Sequence, residues 1–342
     1  MKVLFIGGTG LISGACTALA VERGVDLFLL NRGNTPDRAA GATTLIADVH
    51  DETAAVAALA GHRFDVVVDW MAFTPSDIER DVRLFRGRTD QFIFISSASA
   101  YQKPLGDWLI REDTPLANPF WEYSRNKIAC EERLLRAYRD EDFPATIVRP
   151  TFTYGDIQIP LCMNSWRFPY TAIARMRAGK TVIVPGDGTS LWTLTHNTDF
   201  AKGLVGLLGQ RQSIGHAFNI MSNEAMTWDE ITRQTAAAAG AEARIVHISS
   251  DFICACMPEL EGTLTGDKAV TAVFDTSKIK RFVPDFQCTT KFAQGIRRSV
   301  AWFDADRSRQ GIDADLDARW DLLISAYESG LASAKALLTK NG

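Results

Sequence analysis

The chain has 342 residues, with 37 basic against 41 acidic side chains and a net charge of −4, a balance that leaves no electrostatic footprint for nucleic acid. That length exceeds one ordinary domain, so one large domain with a smaller lobe, or two domains, is expected. No apolar run approaches the ~20 residues that span a bilayer, and the chain opens directly in a strand with no charged-then-apolar leader, so a soluble, cytoplasmic protein with no membrane partner is expected. The six cysteines are scattered. Cys254 and Cys256 are the only close pair, and their spacing suits neither a zinc knuckle nor a redox C-x-x-C motif, so reduced thiols are expected. The five histidines form no H-x-x-x-H pair, and no metal is expected.

The first element is an apolar strand, Val3 to Ile6, that runs into Gly7-Gly8-Thr9-Gly10-Leu11-Ile12-Ser13-Gly14. A helix N-terminus leaves backbone N–H groups unpaired, and glycines let a pyrophosphate approach them, so the turn reads as a dinucleotide cradle. Two registers fit, one on Gly8, Gly10 and Ser13 and one on Gly7, Gly10 and Ser13. Val25 to Leu30 is a second strand ending at Asn31-Arg32-Gly33. An acid there would bind the ribose 2′-hydroxyl of NAD, whereas an arginine neutralises the 2′-phosphate of NADP. Asn31 with Arg32 therefore leans to NADP. Asp48 and Val49 follow a third strand, Leu45 to Ala47. Asp48 reads equally as an adenine-side residue or as the N-cap of the helix Glu52 to Leu59.

Phe64 to Asp69 is an unbroken buried strand whose tail, Trp70-Met71-Ala72-Phe73, is expected beside the cofactor. Thr74-Pro75-Ser76-Asp77 supplies an N-cap, a first-turn proline and an acid for the helix Ser76 to Arg86. Gln91 to Ser96 is the next strand, running out into Ser96-Ser97-Ala98-Ser99-Ala100-Tyr101. The alternation of strands and helices predicts an α/β fold: a Rossmann-type doubly wound parallel sheet with a smaller C-terminal substrate lobe. Tyr123 and Lys127 are four apart in a helix beginning near Trp121, so they share a face. An ammonium beside a phenol stabilises the phenolate, and such a phenol passes a proton to or from a carbinol oxygen.

These motifs, with Val148-Arg149-Pro150-Thr151-Phe152-Thr153-Tyr154-Gly155, Pro185-Gly186-Asp187-Gly188 and Asp275-Thr276-Ser277-Lys278, resemble the extended short-chain dehydrogenase/reductases, specifically the NAD-dependent epimerase/dehydratase group, over residues 1 to 300. The downstream lobe looks most like an atypical branch that includes chloroplast stem-loop-binding proteins. The resemblance implies a catalytic hydroxyl on Ser97, with Ser99 second, Tyr123 as general acid/base, and Lys127 on the nicotinamide ribose. It implies an NAD(P) site at Gly7, Gly10, Leu11, Ile12, Asn31, Arg32, Asp48, Val49, Met71, Ala72 and Pro150. Ser99, Phe152 and Trp192 are expected to face substrate.

Two departures from the family pattern bear on that substrate. Phe152 stands where sugar-nucleotide members carry an asparagine, and Trp192 where they carry a diphosphate-gripping arginine. A second customary arginine is absent from Leu264 to Ala269, with Lys268 or Arg167 as candidates to compensate. Diphosphate recognition usually employs arginine forks. A small sugar-like substrate without a nucleoside diphosphate is therefore expected, and a homodimer is admitted.

The second half reads as helix Trp166 to Ala178, strand Thr181 to Val184, helix Asn197 to Leu208, strand Ala217 to Ile220, a capping box at Thr227 to Glu230, strand Arg244 to Ile248 and helix Phe292 to Phe303. Trp166, Phe168, Tyr170, Trp192 and His196 are candidates for an aromatic ring site, with more than half of them expected in the core. Boundaries are placed at 1–160 for the dinucleotide domain, 161–310 for the substrate lobe with returning sheet elements, and 311–342 for an amphipathic extension. The functional reading is an NAD(P)-dependent dehydrogenase, reductase or epimerase acting on a secondary alcohol or ketone of a sugar-like ring. The alternatives are a nucleotide-sugar 4-epimerase and a non-catalytic dinucleotide sensor or RNA-binding member.

Overall fold

The computed structural model describes residues 1–34 and 41–340. In β1 (Lys2–Ile6), Val3 and Phe5 face one side of a sheet and Leu4 and Ile6 the other, so the strand is apolar from Val3 onward. The chain then runs through α1 (Leu11–Glu22), β2 (Asp26–Asn31), β3 (Thr43–Ile46), α2 (Glu52–Ala58), β4 (Phe64–Asp69), α3 (Pro75–Phe85) and β5 (Thr89–Ile95). After β6 (Leu109–Ile110) come α4 (Glu122–Glu141), β7 (Ala145–Arg149) and β8 (Phe152–Tyr154). Next are α5 (Thr171–Arg177), β9 (Val182–Pro185), β10 (Leu191–His196), α6 (Asn197–Leu207) and β11 (Ala217–Asn219). The remainder is β12 (Ala225–Thr227), α7 (Trp228–Ala238), β13 (Ile245–Ile248), α8 (Ser250–Cys256), the short α9 (Glu261–Thr263), β14 (Val273–Phe274), α10 (Ser277–Phe282), α11 (Phe292–Asp304) and α12 (Ala314–Lys340).

These elements form two units. The first takes Met1–Gly155, Thr193–Glu224 and Val273–Thr290. Its seven-stranded sheet has the order β11-β7-β5-β4-β1-β2-β3, and every adjacent pair is parallel. It is the doubly wound α/β sheet expected of the sequence. The order reverses between β1 and β4, and in such sheets the crevice beyond the carboxyl ends at that switch point is where ligands bind. One face is filled by α1 and α6 side chains such as Cys16, Phe200 and Leu204, the other by residues of α2, α3 and α4 such as Ala55, Val82 and Leu134. The segments 193–224 and 273–290 belong to this unit because β11 pairs with β7 and α6 covers a sheet face, so the units do not follow boundaries at 160 and 310.

The second unit takes Asp156–Trp192, Ala225–Ala272 and Lys291–Gly342. Within it β13 pairs in parallel with β9. The helix expected from Trp166 is shortened to α5. The Asn164 amide donates to the Ile159 and Pro169 carbonyls, and Ser165 Oγ accepts from the Phe168 N–H, local bonds that compete with a helix while Pro169 offers no N–H to one. At α7, Thr227 Oγ1 accepts from the Glu230 N–H at 3.1 Å, but Glu230 turns to Gln234 instead of closing the box. The extension is a single helix, α12, anchored by buried Trp320, Leu323 and Ile324 and by Arg175 with Asp317 and Asp321.

Candidate functional site

The glycine-rich turn has the geometry of a cradle. Gly7 and Gly8 hold φ of 98° and 97°, a region that side chains disfavour, and a Cβ on Gly8 would lie 2.6 Å from Leu29. A Cβ on Gly7 would meet Met71 at 3.4 Å, so this glycine also lets the β4–α3 loop approach. Gly10 is the extended N-cap of α1 and brings no side chain to cap the first-turn amides of Leu11 and Ile12. Ser13 Oγ accepts from the Gly10 N–H at 2.8 Å, and Thr17 Oγ1 donates to the Gly8 carbonyl at 2.7 Å. Asn197, a residue that the sequence reading did not single out, donates from Nδ2 to the Leu11 carbonyl at 2.8 Å. Its signal was an asparagine at the start of a helix predicted to return to the sheet.

Beside this turn lies a cavity of about 280 Å³ lined by Gly7, Thr9, Leu30, Asn31, Arg32, Asn34, Ala47, Asp48, Val49, His50 and Met71. A concave site bounded by a positive-φ glycine and an arginine at the end of β2 fits the adenosine end of a dinucleotide. Asn31 Oδ1 accepts from the Gly33 N–H at 2.8 Å, which folds the amide back on its own loop, and Arg32 is exposed. The two readings of Asp48 separate here. The N-cap of α2 is Asp51, whose carboxylate accepts from the Ala54 N–H at 3.0 Å, while Asp48 lines the cavity. His50 also lines it and was not foreseen; its exposed ring reaches Arg80 and Asp77 on α3. Ala72 is fully buried, and Pro150 is buried with its carbonyl taken by the Ala98 N–H at 2.9 Å.

Further along the sheet, β5 ends at Ile95 and the chain turns through Ser97, whose Oγ caps a short helical turn by accepting from the Ser99 N–H. Ser99 is 4 % exposed and is engaged by Ser97, by Ser124 at 2.8 Å and, at its carbonyl, by Asn118. Ser97 is the more open of the two. The Ser124–Ser99 bond ties the first turn of α4 to this loop. Tyr123 is half-buried between Trp121 and Phe73, with ring centroids at 4.9 and 6.4 Å.

Lys127 is 2 % exposed, and its ammonium donates to the Ala72 carbonyl at 2.7 Å and the Ile95 carbonyl at 2.9 Å. Its Nζ also lies 4.5, 4.8 and 5.9 Å from the rings of Phe73, Phe94 and Tyr123. Burial pushes its pKa down to about 8. An ammonium has three N–H bonds, so two carbonyls leave one of them uncommitted.

Behind this edge stands a second buried cation. Arg149 makes a double contact with Glu131, Nε to Oε1 at 2.9 Å and Nη2 to Oε2 at 2.6 Å, and donates to the Tyr101 hydroxyl at 3.0 Å. Ser96 Oγ donates to Glu131 at 2.5 Å, and Tyr101 donates to Asn219 at 2.7 Å. None of these partnerships was foreseen from the sequence, since they join residues far apart in the chain.

Of the residues expected at substrate, Phe152 is half-buried in β8, which pairs with β10. Trp192 packs in the core of the second unit. Its ring lies 5.2 Å from Trp228, its indole N–H donates to the Val270 carbonyl at 2.9 Å, and it is 3 % exposed. Lys268 is also buried there, its carbonyl accepting from the Trp228 indole, while Arg167 and Trp166 are exposed.

The model of the NAD dependent epimerase/dehydratase family matches residues 3–220. Among curated proteins, the chain is 27 % identical over 264 residues to the chloroplast stem-loop binding protein of 41 kDa b of Arabidopsis thaliana, covering 72 % of this chain and only 65 % of that protein. It is 25 % identical over 293 residues to the 2′-dehydrokanamycin reductase of Streptomyces kanamyceticus, covering 84 % and 80 % of the two chains. A solved UDP-glucuronic acid 4-epimerase from Bacillus cereus, in complex with UDP-glucuronic acid and NAD, superposes with a TM-score of 0.71 at 19 % identity over 89 % of this chain and 99 % of that one, a likeness of fold. With its doubly wound sheet, its glycine cradle and a family match over most of its length, the chain belongs to the NAD-dependent epimerase/dehydratase family.

Proposed function

We propose that the protein is an NAD(P)-dependent enzyme that oxidises, reduces or epimerises a secondary alcohol or ketone on a sugar-like ring carrying no nucleoside diphosphate. The observation that carries this reading is Lys127: a buried ammonium with no carboxylate against it among the described residues, on the same helix face as Tyr123. Such a cation is costly to bury and is retained where it does chemistry. The nicotinamide, when bound, gives or takes the hydride at carbon. The Tyr123 phenol gives or takes the proton of the carbinol oxygen, Ser97 donates a hydrogen bond to that oxygen, and the third N–H of Lys127 serves the ribose and the phenolate.

The cavity residues Gly7, Asn31, Arg32, Asp48, Val49 and Met71, with the α1 amides of Leu11 and Ile12 beyond Gly10, hold the dinucleotide, and the exposed Arg32 guanidinium favours the NADP 2′-phosphate. The substrate class is supported by Phe152 at a position where the resemblance led us to expect an asparagine, and by a relative named for reducing 2′-dehydrokanamycin and not a nucleotide sugar. A negative net charge speaks against RNA as the ligand.

The test is calorimetry of UDP- and dTDP-sugars against free sugars and glycosides, each with NADP present. Binding confined to sugars and glycosides is expected. Micromolar binding of a UDP-sugar, lost on removing Lys268 or Arg167, would return the protein to ordinary nucleotide-sugar epimerisation.

A further inference from the structure

The loop between β4 and α3 is held in an unusual way. Four successive backbone N–H groups, from Met71 to Thr74, point at carboxylates of their own loop. Asp69 Oδ1 accepts from Met71 and Ala72 at 2.5 and 3.1 Å, and Asp77 Oδ2 accepts from Phe73 and Thr74 at 3.0 and 2.9 Å. With its amides turned inward, the loop presents the Ala72 carbonyl to Lys127. Arg80 joins the carboxylates from below, bonding Asp77 at 3.0 Å and Asp81 through Nε and Nη2 at 3.0 and 2.8 Å.

Asp69 and Asp81 are both fully buried and face one another. Arg80 Nη2 stands 3.6 Å from Asp69 Oδ2, too far for a hydrogen bond, and among the described residues neither Asp69 Oδ2 nor Asp81 Oδ2 has a donor. Two neighbouring carboxylates, each with a bare oxygen in a dry interior, would repel each other strongly, whereas one hydrogen shared between them relieves both. The other titratable or charged groups around the pair are Asp77 and Arg80 on α3, Lys127, Cys130 and Glu131 on α4, and His50 after β3. None of these donates to either Oδ2.

We propose that Asp69 and Asp81 share one proton, and that this pair, clamped by Arg80, is the positioning unit that holds the 71–74 loop and, on the functional reading above, aims the Ala72 carbonyl at the catalytic ammonium. Asp69, with two amide donors, carries the negative charge. Asp81 carries the hydrogen; burial, then the facing Asp69, push its carboxyl well above the usual range. Arg80 then faces two negative charges, the one that the pair keeps and that of Asp77, instead of three. The charge on Asp69 also favours the protonated form of Lys127.

Isotope-edited infrared spectroscopy of 13C-aspartate-labelled protein tests the shared proton without substrate or cofactor. A protonated-carboxyl band that persists at pH 7 and vanishes in Asp81→Asn is expected, and its absence from the wild-type protein between pH 5 and 8 would overturn the proposal. Either single variant, Asp69→Asn or Asp81→Asn, supplies one amide hydrogen where the shared proton lay, so both should fold. The positioning role is read from the titration of the Lys127 ammonium by NMR. Asp69→Asn should lower its midpoint by roughly one unit, because the pair's negative charge moves to Asp81, away from the carboxylate that acts on Lys127. Asp81→Asn should leave it in place, and equal midpoints in the two variants would contradict the role. Failure of the functional reading would show instead as absent turnover with both spectroscopic results intact.

Discussion

Lys127 and Arg149 are two cations buried on the same edge of one sheet, 2 % and 5 % exposed. Arg149 is met by a carboxylate in a two-pronged contact, and Glu131 outweighs burial to hold the guanidinium above even its ordinary value. Lys127 is met by two carbonyls and three aromatic rings, and burial prevails, bringing it down to about 8. The difference separates a group that holds structure from one poised to act. A paired arginine locks α4 to β7, while an ammonium without a counter-ion keeps its field for whatever develops charge beside it.

The contrast is broken most severely from the arginine side. Glu131→Gln leaves the Arg149 charge buried without its carboxylate and should cost about 3–5 kcal/mol of stability, read by urea unfolding. Removing the lysine charge should behave differently. A fall from 10.5 to about 8 corresponds to roughly 3–4 kcal/mol, at about 1.4 kcal/mol per pKa unit. Because the folded value lies below the unfolded one, the penalty is complete below pH 8 and disappears as pH rises to 10.5. The stability of wild type relative to Lys127→Met should therefore climb across that window. A flat difference would mean that the ammonium is not buried as described.

Catalysis sharpens the comparison further. Tyr123→Phe keeps the ring and removes the proton donor, so turnover should fall at least ~100-fold with cofactor affinity nearly unchanged, whereas Lys127→Ala should damage both. Activity of the wild type should decline above pH about 8 as Lys127 loses its proton. The smallest effect is expected at the cavity rim. Arg32→Ala should weaken NADP by about tenfold or more while leaving NAD nearly untouched, measured by fluorescence titration.

How far the sequence carried this account depended on the reach of each interaction. That Tyr123 and Lys127 share a helix face follows from local spacing, and Thr74-Pro75 marked the start of α3 to within one residue. The apolar runs of β1 and β4 announced a sheet covered on both faces, and the glycine-rich turn announced a strand running into a helix. Long-range polar pairing was illegible. Nothing local says that Glu131 waits for Arg149, or that Asp81 on α3 faces Asp69 at the end of β4. Trp192 misled for a related reason: aligned motifs name a position, but only the packing against Trp228 and the Val270 carbonyl says that its indole is in a core. Asp48 could be read as a cap or as an adenine-side residue, and the helix is capped instead by Asp51, directly before its first residue.

The most direct measurement is the titration of the Lys127 ammonium itself, followed by NMR in lysine-labelled protein and assigned by its loss in Lys127→Met. A midpoint near 8 is predicted for the folded protein. A midpoint at or above the ordinary 10.5 would show an ammonium that water or a carboxylate stabilises, and would contradict the claim that this cation is kept unpaired for chemistry.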